Sequence, residues 1–303
     1  MAGQNTKIVA TDYNAIQSVI NSVMGSGSGT TGWGQTVLSS QVAVNSKISV
    51  TQWNNLQTDL QNANAHITGS IGSLITASTS VVIAEADRSA YQAMATYANA
   101  NQNGIPPANQ ASTQAVATGT KTVAWNGTLT HTVTITFASA DNARYFFNSG
   151  SLILFSASLA GFSVSDGSYA KNLSWQTMLS NMGVIKLGLN NTTTTGSLTN
   201  IASSTGYMQL KANPGVNTLL GNRIISGAPY TPNQYDLYCS CNAGGTVLTF
   251  QAQFADLSTT GNPTYGTDEN VSGTLTSLCQ LYYASGSNVS VSAYLPVTTQ
   301  SGP

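Results

Sequence analysis

The sequence predicts an α+β fold that is mainly β: a small N-terminal helical module followed by an antiparallel β-sandwich or barrel-like domain with short helices. Three observations carry this expectation. Apolar residues recur at helical spacing before residue 115, period-two alternation dominates from residue 116 onward, and turn residues rich in Gly and Ser separate the segments. A chain of 303 residues buries a substantial core and commonly forms two domains. The expected division is residues 1–115, a helical docking module, and residues 116–303, an antiparallel β domain.

Within the helical module, residues 7–17 recur as residues 47–57, an offset of 40. Both copies keep a Lys-Ile pair, then Thr, an aromatic, Asn, an aliphatic and Gln. Each reads as an extended lead-in, an N-cap at Thr11 or Thr51, and a helix. Tyr13, Ile16, Ile20 and Val23 form the apolar stripe of the first helix, and Trp53, Leu56, Leu60 and Ala63 that of the second. Glycines among residues 25–29 end the first helix and Gly69 ends the second. Residues 35–44 between them read as extended. A third helix is expected over residues 82–99, with Ile83, Ala86, Ala90, Met94 and Tyr97 inward, until Pro106 and Pro107 break it. Two or three short helices make a thin core. The module is therefore expected to dock on neighbours, with Tyr13 and Trp53 as equivalent interface aromatics.

In the second half, residues 130–137 alternate Thr with apolar side chains, the pattern of a half-buried strand. Residues 152–159, 184–189, 235–241, 246–254, 273–283 and 289–295 read similarly. Two short helices interrupt them. One follows a Ser139 cap and exits at Gly150; the other spans residues 172–182 around Trp175, Met178, Leu179 and Met182 and closes at Gly183.

Only 6% of the chain is charged, where soluble domains average about a quarter. With 9 basic and 10 acidic residues, little like-charge repulsion keeps copies apart. Such a surface also avoids much of the desolvation cost of burying charges between subunits. The composition predicts a part built into an assembly, forming homo-oligomers or binding a partner. A formal charge of -1 argues against nucleic-acid binding. No run of apolar residues approaches a membrane span, and the N-terminus lacks the apolar core of a secretion signal, which predicts synthesis in a cytosol.

The run from Ile135 to Ser156 resembles a family of bacteriophage virion structural proteins, found in tailed phages of aquatic bacteria. The resemblance is carried by Ile135 to Gly150 and the following Leu152 to Ser156. The stretch Thr11 to Gln17, the glycines among residues 25–29, Gly34 to Val37, Trp53 to Leu56 and Lys171 to Trp175 resemble the same family. The resemblance implies a structural subunit of the virion, in the tail or neck as a fibre or collar component, with other virion proteins as partners. It implies no catalytic residue and no cofactor.

The residues themselves offer little chemistry. Cys239, Cys241 and Cys279 are too few for a disulfide framework and read as small buried groups. His66 and His131 lack metal-ligand spacing, and no metal or cofactor site is expected. Asp256, Asp268 and Glu269 form an acidic cluster read as a turn, a weak candidate for calcium binding or catalysis. A Ser-His-Asp arrangement could be assembled from His131 and a nearby Asp, but serine is so abundant that proximity carries no information. Arg144, three residues from Asp141 on one helix, reads as an internal ion pair, with an intersubunit contact as the other reading. Tyr265, Tyr282 and Tyr283 offer a face for stacking on sugar. The leading expectation is a non-enzymatic subunit of a phage particle, and the alternative is an adhesin that binds a host-surface glycan.

Overall fold

Apolar residues spaced three and four apart shape the first two helices. Helix α1 (Ala10–Met24) buries Tyr13, Ile16, Ile20 and Val23, and α2 (Val50–Thr68) buries Trp53, Leu56, Leu60 and Ala63. The computed structural model describes residues 8–81, 83–104, 111–258 and 270–303. The chain divides into two units. One comprises Met1–Ser112, Arg144–Ser151 and Tyr283–Leu295; the other comprises Thr113–Ala143, Leu152–Tyr282 and Pro296–Pro303. Residues 144–151 and 283–295, which the sequence groups with the strands, thus cluster with the helices.

The helices start two residues before the expected Thr caps. Val9 and Ser49 are the N-caps, and Thr11 and Thr51 lie inside the first turn. The side chain at the third helical position closes each cap: Asp12 Oδ2 accepts from the Val9 N–H at 2.9 Å, and Gln52 Oε1 from the Ser49 N–H at 2.7 Å. At the other end of α2, Gly69 adopts φ 79°, a left-handed exit that a side chain would strain.

Helix α3 (Glu85–Asn101) presents a different face from the expected one. It buries Tyr91, Ala95 and Ala98, while Ala86, Ala90 and Tyr97 are exposed. The Tyr91 ring meets Trp53 edge-on at 5.1 Å, and its hydroxyl donates to the Ile75 carbonyl at 2.6 Å. One large aromatic with a partner for its hydroxyl outweighs alanines that bury little area. Val82, Pro106 and Pro107 lie outside the described residues.

Helix α4 (Ala140–Asn148) starts at Ser139, whose Oγ accepts from the Asn142 N–H at 3.1 Å. Its last turn, from Arg144, belongs to the helical unit. Asn148, Ser149 and Ser151 are fully buried there. Residues 289–295, expected as a strand, carry a lone bridge from Ser285 to Ser290 and a 3-10 turn at Ser292–Tyr294. Val289 and Val291 are buried as two separate anchors, a spacing that imitates strand alternation.

The second unit holds two antiparallel sheets. The strands are β1 (Ala111–Lys121), β2 (Gly127–Thr136), β3 (Leu152–Ala160), β4 (Ile185–Leu187), β5 (Thr192–Thr194), β6 (Asn200–Ile201), β7 (Thr218–Ile224), β8 (Gln234–Cys241), β9 (Val247–Asp256), β10 (Thr274–Ala284) and β11 (Val297–Ser301). One sheet runs β1-β10-β3-β4-β5 and the other β11-β2-β9-β8-β7-β6. Strands β2 and β9 pair from Gly127 opposite Asp256 to Thr136 opposite Val247. The inner faces of the two sheets meet at Phe155 of β3 and Phe250 of β9, whose ring centroids lie 4.7 Å apart. Strands β1 and β11 sit at sheet edges, where weak alternation hides them in the sequence. A bulge between Leu219 and Gly221 interrupts the alternation of β7.

Two more helices complete this unit. Helix α5 (Tyr169–Met182) seats Trp175 against Trp125 at 5.1 Å and ends at Gly183. A Cβ on Gly183 would come within 2.6 Å of the Gly196 backbone nitrogen, so the turn requires glycine. Helix α6 (Tyr207–Ala212), not anticipated from the sequence, buries Tyr207 and Leu210.

Candidate functional site

The residues shared by the two copies of the repeat perform the same task in each. Asn14 brackets Val42, donating to its carbonyl and accepting from its N–H, both at 2.8 Å. Asn54, its equivalent, brackets Ala77 at 3.2 and 3.0 Å. One turn further on, Gln17 donates to the Ser39 carbonyl at 3.1 Å and Gln57 to the Leu74 carbonyl at 3.0 Å. Each helix therefore ties down the extended segment that follows it, running antiparallel to the helix. These side chains satisfy backbone groups that form no sheet. Asp59, fully buried on α2, adds a third tie, accepting from the N–H groups of Leu38 and Ser39 at 3.0 and 2.7 Å.

The extended lead-ins of the repeat converge on one open cleft of about 830 Å³. Ile8 to Thr11 form one wall, Val44 to Ile48 with Val50 another, and Val81 with Ile83 to Glu85 a third, so the starts of α1, α2 and α3 all border it. Val9, Val44 and Val50 are 46%, 68% and 38% exposed. Asp12, Gln52 and Asp87 accept from the N–H groups of Val9, Ser49 and Ala84 respectively. Of the charged lining residues, Glu85 is held by Arg88 at 2.6 Å, and that hydrogen bond keeps its carboxyl below the usual range. The cleft mixes aliphatic side chains with Thr11, Asn45 and Ser46, and its two charged lining residues, Lys47 and Glu85, are of opposite sign, so valines are available to an apolar side chain on a near-neutral surface.

The structure brings two of the three expected interface residues together. Trp53, 5% exposed, lines the cleft. Tyr13 packs edge-on behind it at 5.4 Å, fully buried, with its phenol pushed up to about 12 by burial and then by the Asp59 charge. Both are core residues of the helical unit. Arg144 lies elsewhere in that unit, 9% exposed, donating to the Thr31 carbonyl at 2.6 Å with its guanidinium 4.8 Å from the Tyr145 ring centroid.

The other chemical candidates occupy structural positions. His131 is fully buried, with Nδ1 2.9 Å from Ser277 Oγ and Nε2 3.2 Å from Gln300 Oε1. Ser277 is also fully buried, and a serine with no access to solvent cannot meet a substrate. Cys239, Cys241 and Cys279 are free and buried, with their thiols pushed up by burial. Asp256 ends β9 in a buried ion pair with Lys171, not an open turn. Asp268, Glu269 and Tyr265 lie outside the described residues, while Tyr282 and Tyr283 are half-buried. Among the described residues, no three His, Cys, Asp or Glu side chains gather to hold a metal ion. No described helix is long and apolar enough to cross a membrane.

Sequence reasoning passed over the ties made by Asn14, Asn54, Gln17 and Gln57, although their retention in both copies was the available signal. It also passed over the third wall of the cleft, because the α3 lead-in does not repeat the Lys-Ile pattern. The chain matches no family model, no curated protein and no solved structure.

Proposed function

We propose that the chain is a non-enzymatic structural subunit of a tailed bacteriophage particle, in the tail or neck, that assembles through its N-terminal helical unit. The observation that carries this reading is the cleft whose walls include the lead-ins of both repeat copies, with Val9, Val44 and Val50 left exposed at its edge. Exposed aliphatic side chains around a concavity suit a protein partner. The occupant is an apolar segment of a neighbouring virion protein. The resemblance of residues 135–156 and of the repeat to virion structural proteins supports the same reading.

The test uses the full chain carrying Val9→Asp and Val50→Asp. Both positions are well exposed, so melting should move by no more than about 0.5 kcal/mol in stability. Particles assembled without the native chain should fail to take up the variant while taking up the unaltered protein. Normal uptake of a folded variant would remove the cleft as the docking site.

A further inference from the structure

Lysine is among the residues least often fully buried, and this chain has only 9 basic residues in total. Lys171 nevertheless sits in the first turn of α5 with its side chain 0% exposed, and its Nζ lies 2.9 Å from Oδ2 of Asp256, which is equally enclosed. Both partners are held rigidly. Asn172, next to the lysine, donates to Ser272 Oγ at 2.7 Å and accepts from the Ser272 N–H at 2.9 Å. Beyond Asp256, Asn233 Oδ1 accepts from the N–H groups of Leu257 and Ser258, each at 2.7 Å. An amine and a carboxyl group are thus fixed in contact and shut off from water.

The remaining carboxyl oxygen is also prepared. Ser258 Oγ donates to Asp256 Oδ1 at 3.2 Å. The Asn233 amide is fully buried and its Nδ2 makes no hydrogen bond, yet it lies close enough to Asp256 to favour negative charge on it. The Ser258 hydroxyl therefore faces the oxygen on which charge would build if the carboxyl carbon were attacked, and the Asn233 amide favours negative charge on the same group.

We propose that Lys171 and Asp256 condense to an intramolecular isopeptide bond that joins α5 to the end of β9. The low-dielectric site disfavours separated charges and raises the Asp256 carboxyl, chiefly by desolvation. The ammonium proton passes to Oδ2, leaving a neutral amine beside a neutral carboxylic acid. The nitrogen lone pair attacks Cγ and forms the N–C bond, while Oδ1 takes the developing charge under the Ser258 hydroxyl. A second proton moves from nitrogen to Oδ2, the Cγ–Oδ2 bond breaks, and Oδ2 leaves as water. Oδ1 remains as the amide oxygen. The step is a condensation and needs no oxidant or cofactor. Holding the reactants in contact supplies the effective concentration that free amines and carboxylates lack. The inference is independent of the assembly reading.

Intact-mass spectrometry of the purified, folded full chain, denatured just before measurement, tests it. The expected mass is one water below that of the sequence, and proteolysis should release a branched peptide joining the Lys171 and Asp256 segments. Lys171→Arg should restore the full sequence mass. A folded native chain at full mass, with Lys171 and Asp256 on separate linear peptides, overturns the proposal. Loss of water without the branched peptide also overturns it, since that pattern belongs to a cyclised Asn or Asp elsewhere.

Discussion

Acid should weaken the helical unit through one buried imidazole. His66 on α2 is 1% exposed, with Nε2 2.9 Å from the Ser149 carbonyl and its ring 4.7 Å from Trp33. A carbonyl only accepts, so Nε2 carries the proton, and Nδ1 is left as a bare lone pair without a partner. Protonating Nδ1 would bury a charge with no acceptor. Desolvation accordingly lowers the His66 pKa from 6.5 to about 4, against the smaller opposing pull of the Ser149 carbonyl. The folded pKa lies below the unfolded one, so this contribution is complete above pH 6.5 and is lost as the pH falls toward 4. At about 1.4 kcal/mol per unit, the loss is about 3 kcal/mol.

The assay is denaturant unfolding of the native chain and His66→Gln between pH 4 and 7.5. His131, whose pKa burial also lowers, and the carboxyls of Glu85 and Asp166, lowered by hydrogen bonds, titrate in both proteins and cancel in the difference. The native chain should lose about 3 kcal/mol more than the variant across that range. Parallel curves, or an NMR titration of His66 centred near its ordinary value, would refute the reasoning.

The repeat makes a prediction of its own. Asn54→Ala strands the N–H and carbonyl of Ala77 together and should cost about 1–3 kcal/mol, with Asn14→Ala costing a similar amount through Val42. A change below about 0.5 kcal/mol at both sites, the range of ordinary surface positions, would mean that the ties are incidental. A fragment of residues 1–115 should not fold stably alone. It lacks Asn148 and Ser149, whose carbonyls accept from the buried Trp33 indole at 3.0 Å and from His66 at 2.9 Å. A cooperative unfolding transition and dispersed NMR spectrum from that fragment would contradict this.

What the sequence determined by itself is what short-range patterns carry. Helical spacing of Tyr13, Ile16, Ile20 and Val23 and alternation in residues 130–137 record which faces are buried, because burial follows the 3.6- and 2-residue periods of the backbone. The turn at Gly69 was legible for the same local reason: a left-handed helix exit favours glycine wherever it occurs. The identity of a partner has no such period. Nothing in Lys171 or Asp256 alone reveals that residues 85 apart meet in a dry site. Nor does a Val-x-Val pattern at residues 289–291 reveal whether it lies in a sheet or anchors a loop on helices. On α3, the local pattern misassigned the face, because the Trp53 ring and the Ile75 carbonyl that hold Tyr91 come from elsewhere in the chain. The tertiary structure alone decided that Asn14 and Asn54 are backbone ties, that Trp53 faces a cleft while Tyr13 packs behind it, and that residues 144–151 complete the helical unit. Each outcome depends on long-range packing and hydrogen-bond satisfaction, which act through space and leave only composition as their trace in the sequence.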